Sequence, residues 1–159
     1  MNTLLDLLNS RPLVDGRERD ALADPAEGRS WAREHGGDGT LAELELLREA
    51  RDVLRDIVGG VRSPEALKPL LDGVQQVPEV GQGGLRWRLR TAPHARLAVE
   101  TVLAWADIEE RMPGRLRPCA NSECRLFLLD RSRANRARWC SMAVCGNREK
   151  ARRHYERTR

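Results

Sequence analysis

Four cysteines, Cys119, Cys124, Cys140 and Cys145, lie within one short stretch of a 159-residue chain, and none precedes them. They read C-x4-C, a fifteen-residue spacer, then C-x4-C. Two thiol pairs on short loops, joined by a spacer long enough for a small hairpin, can offer four sulfurs to one tetrahedral ion. Zn2+, a d10 ion content with four thiolates, is the expected occupant. Two competing chemistries are weaker. Disulfides need an oxidising compartment, and the start MNTLLDLLNSRP has no basic region, long apolar run or small-residue cleavage site of a secretory signal. A redox pair would more typically read C-x-x-C, which is absent.

The second chemical signal is charge. Residues 1–113 carry 15 Lys/Arg against 20 Asp/Glu, whereas residues 114–159 carry 13 against 4. A basic tail on an acidic body points to a polyanionic partner. The candidate contacts are Arg131, Arg133, Arg136 and Arg138 between the two cysteine pairs, then Arg148, Lys150, Arg152, Arg153 and Arg157 after them, with Arg159 beyond. The planar fork of arginine suits phosphate because it donates two parallel hydrogen bonds. The plain alternative is solvated surface charge, with the preference for Arg over Lys set by base composition. Asp130, acidic within this field, is expected to pin a turn through a neighbouring arginine. His154 is not needed as a ligand where four sulfurs suffice.

These groups need elements to hold them. The tail reads as knuckle, hairpin and helix: Arg125–Leu129 as a first strand anchored by Phe127, Asp130–Asn135 as a polar turn, Arg136–Cys140 as the returning strand, and a helix from about Asn147 to Arg157. Ser141 can cap the segment after it. Asn147 and Arg148 are candidates for bracing the metal loop. The positive end of the helix would ease thiolate charge at Cys145.

The body before the tail is expected to be mainly helical with one small sheet. Leu4, Leu5, Leu7 and Leu8 mark a first helix capped by Asn2 or Thr3, followed by a loop turning at Asp15-Gly16. Asp24-Pro25-Ala26-Glu27 carries three helix-start signals, and Thr40-Leu41-Ala42-Glu43 is a capping box. Leu41, Leu44, Leu47, Leu54 and Val58 then form an amphipathic stripe, with Ala50 or Arg51 filling the missing turn and Gly59-Gly60 ending it. Its other face, Glu45 to Asp56, reads as solvated ion pairs. Ser63-Pro64 opens a shorter helix broken at Pro69. Val74–Val80 and Leu85–Arg90 flank Gly81-Gln82-Gly83-Gly84 as a hairpin. That glycine run has neither the Lys-Ser/Thr nor the strand-to-helix context of a phosphate loop. Thr91–Arg111 is the last body helix, and Met112-Pro113-Gly114 marks the boundary. The core is expected to be Leu, Val and Trp.

The segment Arg138–Arg148 (RWCSMAVCGNR), extended back through Phe127–Ser132, Cys124 and Cys119, resembles the signature of the bacterial CGNR zinc-finger family. Leu4–Pro12, Asp20–Pro25 and Trp31–Gly36 are similar to the domain usually paired with that finger, ABATE, described as a stress-induced transcription regulator. The resemblance implies a role in transcription control, and the body over 1–113 is read as a mainly helical α+β domain serving ligand sensing or dimerisation. The resemblance also implies a treble-clef-like finger over 114–159 that binds one Zn2+ through the four cysteines. The expected function is a cytoplasmic DNA-binding transcription regulator with no membrane partner. A homodimer and a small-molecule effector of the N-terminal domain are further expectations. The alternatives are a protein–protein adaptor or an RNA-binding protein. No Ser/His/Asp grouping or carboxylate pair assembles, and His35 and His94 stand alone, so no enzyme is expected.

Overall fold

The computed structural model describes residues 3–14 and 16–157, apart from the side chains of Arg153 and Arg157. Asn2, Asp15 and Arg159 therefore lie outside the described residues. About half the chain is helical, with three two-stranded antiparallel sheets among the described residues, an α+β arrangement. The chain divides into two compact units, Ala21–Ala104 and a second made of Met1–Asp20 with Trp105–Arg159. The composition shift places a boundary at 113/114. In the structure the first 20 residues group with the cysteine-bearing segment.

In the unit 21–104, α2 (Pro25–Glu34) and α3 (Leu41–Val58) start where the caps predict. Asp24 accepts from the amides of Ala26 and Glu27 at 2.9 and 3.0 Å, and Thr40 accepts from Glu43 at 3.1 Å. Gly28 lets α2 approach α3, because a Cβ there would stand 2.6 Å from Leu44. Leu44, Leu47, Ala50, Val53 and Leu54 form the buried face of α3, and Leu41 at its start is exposed. Both candidates for the missing turn, Ala50 and Arg51, are buried, and the Arg51 guanidinium pairs with Asp52 at 3.1 Å. Arg48, expected on a solvated face, donates to the carbonyls of Leu22 and Ala23 and ties that loop to α3.

Residues Pro64–Leu71 form a 3-10 helix that contains Pro69. The hairpin β3 (Gln75–Gly81) and β4 (Gly84–Arg90) pairs Gly81 with Gly84 around a two-residue turn, and Gly84 takes φ +98°. Its apolar face is open: Val80, Leu85 and Trp87 are exposed. The core is consequently Leu, Val and Ala, and the tryptophans are not among the fully buried residues. A 3-10 turn, Pro93–Ala95, leads into α4 (Arg96–Arg111), whose buried positions include Ala98, Val99 and Val102 besides Leu97, Thr101 and Ile108.

The other unit begins with α1 (Thr3–Leu8), which buries Leu4, Leu7 and Leu8, and a minimal hairpin of β1 (Leu13–Val14) and β2 (Arg17–Glu18). α1 contacts the last strand of the unit, β6 (Phe127–Leu129). Asn9, just past α1, accepts from the Phe127 amide at 2.7 Å and donates to its carbonyl at 3.1 Å, so one side-chain amide stands in for a strand partner. This pin, with an ion pair between Arg125 and Glu18, attaches the chain's start to the cysteine segment. β6 pairs antiparallel with β5 (Leu116–Pro118), and α5 (Asn147–Arg157) closes the unit. Among the described residues, no helix is long and apolar enough to cross a membrane.

Candidate metal centre and nucleic-acid interface

The cysteine pairs sit on two different supports. Cys119 and Cys124 lie in the connection between β5 and β6, closed by the Cys119 amide on the Leu126 carbonyl at 2.8 Å. The expected hairpin is thus corrected: β6 takes β5 as its partner, before the knuckle, and residues 136–140 form no strand. The spacer returns through isolated hydrogen bonds, the Ala120 amide to the Arg138 carbonyl at 2.8 Å and the Cys140 amide to Cys119 Sγ at 3.5 Å. Cys140 lies just before a π turn, Met142–Gly146, that contains Cys145 and runs into α5. Ser141 caps that turn, accepting from the Val144 amide at 3.4 Å.

The four sulfurs lie within 4.8 Å of one another. Cys124 and Cys140 are 3.7 Å apart, and Cys140 and Cys145 are 3.6 Å apart. A disulfide would need about 2.05 Å, and all four thiols are free. A tetrahedron with about 2.3 Å metal–sulfur bonds has edges of about 3.8 Å, so the donor set fits a tetrahedral ion. The electrostatics agree. Burial pushes the Cys124 and Cys140 thiols up, and their sulfur neighbours push Cys140 further. At Cys145 burial also raises, but hydrogen bonds led by Asn121 outweigh it and bring the thiol below its ordinary value. Thiols this close cannot all ionise without a cation between them.

Asn121 is a site residue that spacing did not reveal. It is buried, its Nδ2 donates to Cys145 Sγ at 3.6 Å, and its Oδ1 accepts from the Glu123 amide at 3.1 Å. One side chain thereby shapes the first knuckle and supports a sulfur of the second. Its legible signal was an Asn in a four-residue turn between cysteines. Asn147 braces the π turn by donating to the Ala143 carbonyl at 3.2 Å, and Arg148 reaches Glu123 at 3.8 Å. His154 is not part of the cluster.

The arginines separate into groups that sequence could not distinguish. Arg115 donates to the carbonyls of Asp130 and Ser132. Arg117 donates to Asp130 Oδ2 at 2.6 Å and to the carbonyls of Ala137 and Gly114. Asp130, 2% exposed, also accepts from the Ser132 and Ala137 amides, each at 2.8 Å. The Ser132 hydroxyl is the largest influence holding its carboxyl down to about 2; burial opposes, and the two amides and Arg117 assist. Asp130 therefore pins the turn as expected, but through Arg117.

On that braced base sit Arg131, Arg133, Arg136 and Arg138, all exposed and none in an ion pair among the described residues. They lie on an irregular loop that reverses at Asn135, φ 49°. Arg136 and Arg138 line a shallow bowl of about 590 Å³ with Arg117 and Asn135. Arg138 also lies 5.4 Å from the centre of the Trp139 ring. On α5, Arg152 is engaged by Glu149 at 2.7 Å and Glu156 at 3.9 Å. Lys150 is exposed and unpaired among the described residues. The side chains of Arg153 and Arg157 lie outside the described residues.

Two family models match this chain. One, described as "CGNR zinc finger", covers residues 115–158. The other, described as "Putative stress-induced transcription regulator", ABATE, covers residues 2–122. No curated protein matches the sequence.

Proposed function

The chain belongs to the ABATE family, whose description is "Putative stress-induced transcription regulator", and carries a CGNR zinc finger; from that premise we propose that it is a cytoplasmic DNA-binding regulator whose finger is folded by one Zn2+. Cys119, Cys124, Cys140 and Cys145 are the ligands, in a treble-clef arrangement: a knuckle on the β5–β6 connection, then a second pair leading into α5. When bound, the ion supplies electrostatic cross-linking of two distant loops. Four protein ligands close the coordination shell and leave no position for a reacting water, so the finger is a binding module and not a hydrolytic centre. Asn121 and the Cys140 amide donate to sulfur and would temper the thiolates' charge.

The observation that carries this reading is the set of exposed, unpaired arginines on the 131–138 loop. Their base is fixed by Arg115, Arg117 and Asp130, so little conformational freedom is lost when phosphates are met. Arg152 spends its charge on neighbouring glutamates and contributes less. Random duplex DNA should bind with an affinity that falls steeply with salt, at a log–log slope of about −0.9 per phosphate neutralised. Arg133→Gln with Arg136→Gln should flatten that slope by about two such units, and Arg152→Gln should change it by less than half as much. An unchanged slope in the double variant would remove the loop from the interface.

An adaptor role is the second reading. Met142 and Val144, exposed on the second knuckle, favour it. Negligible DNA affinity at low salt would leave that reading standing instead, and competition by structured RNA would favour RNA.

A further inference from the structure

The unit 21–104 holds a cavity of about 440 Å³ that neither the metal centre nor the basic loop uses. It opens where the 3-10 helix 64–71 and the turn 93–95 meet α3 and α4. Its floor is apolar: Leu70, Ala98 and Val99 are buried, and Leu46 stands half-buried beside them. Its mouth carries Asp72, Thr91 and His94. Two short 3-10 segments cannot interdigitate with the neighbouring helices as full α-turns do, and the alanines at the start of α4 have little side chain to fill the gap. The volume is in the range of small-molecule sites, about 300–1,000 Å³, and the pattern of apolar walls with a few polar groups at one end is typical of them.

The charge at the mouth selects among ligands. Among the described residues, Asp72 is the only carboxylate on the wall, and no lysine or arginine lines it. Among the described residues, Asp72 forms no side-chain hydrogen bond or ion pair. We infer that this cavity binds a small hydrophobic amine, its carbon chain on Leu46, Leu70, Ala98 and Val99 and its ammonium group at Asp72. Thr91 and His94 are further polar side chains of the lining. The opposing influence is the positive end of the helix that begins at Arg96, which would favour an anion; the two predict opposite head-group preferences. Because Asp72 is exposed, its ion pair contributes modestly and sets selectivity. Affinity comes from the chain, at about fourfold per methylene buried. Amine binding here is independent of DNA binding and needs no metal.

The test uses the full zinc-loaded chain and the methyl NMR signals of Leu46, Leu70 and Val99, titrated with n-butylamine, n-hexylamine and hexanoate. Saturable shifts at these methyls are expected. Hexylamine should bind at least tenfold more tightly than butylamine, by the methylene factor of about four applied twice, and hexanoate several-fold more weakly than hexylamine. Asp72→Asn should erase the preference for amine over acid and leave chain-length dependence intact. Ala95→Phe, on the wall, should block both amines; should it impair folding, the exposed Asp72→Asn variant carries the test alone. No saturable shift with hexylamine, or hexanoate binding as tightly as hexylamine, overturns the inference.

Discussion

Ala21–Ala104 buries leucines and valines from α3, the 3-10 helix and α4 in its own interior, whereas residues 130–157 contribute one apolar side chain, Cys145, to the buried set among the described residues. The first region is held by apolar surface removed from water. The second is held by polar pins, namely Asp130 with Arg117, the Asn121 amide and the Ser141 cap, together with four sulfurs around a point. A segment with so little to bury cannot offset its own conformational entropy. Its fold must come from whatever joins the sulfurs.

Breaking the sulfur cluster should therefore have the largest effect and the most localised one. Cys140→Ser, or excess chelator, should unfold residues 130–157 and leave amide signals of 21–104 in place. The contribution at stake is about 10–16 kcal/mol of apparent zinc binding. Zinc stoichiometry and an amide NMR map read both halves, and a tail spectrum unchanged by either treatment contradicts a metal-held fold. The converse lesion is Leu54→Ala, in the fully buried stripe of α3. It should cost about 2–5 kcal/mol in denaturant unfolding of the helical unit, with one zinc still bound per chain. A smaller perturbation sharpens the contrast. Asn121→Ala removes a donor to sulfur and should lower zinc affinity by about 10–100-fold without unfolding the metal-loaded finger. Competition with a coloured chelator measures this, and equal affinities would reduce Asn121 to a turn former.

The smallest effect is at Asp130 and concerns pH. Its folded carboxyl, at about 2, lies below the ordinary value of 3.8. The ionised form is the one favoured by folding. Its contribution is complete above about pH 4 and is lost as pH falls through about 2. The stability difference between the parent protein and Asp130→Asn should accordingly stay flat between about pH 5 and 8. A slope across that window would assign the pin to another group.

Local chemistry was legible. Asp24 and Thr40 cap the helices their spacing announced, the glycine run turns the β3–β4 hairpin, α5 spans Asn147–Arg157, and the cysteine spacing predicted convergence. Each depends on groups a few residues apart, or on a side-chain type with one strong preference.

Long-range competition was not legible. β6 had two possible partners of similar character and took β5, so the returning segment 136–140 became an irregular arm carrying Arg136 and Arg138. Trp87 reads as core and is exposed, because among the described residues no element covers that face of the hairpin. Arg48 reads as solvent-facing charge, yet it binds the carbonyls of the loop before α2.

The sequence by itself determined that four thiols meet and that the charge around them is positive, because residue type and spacing suffice for both. Only the tertiary structure decided which arginines brace and which remain open. That depends on carbonyls and carboxylates contributed from elsewhere in the chain, at Gly114, Asp130 and Ala137 for Arg117 and at Glu149 and Glu156 for Arg152.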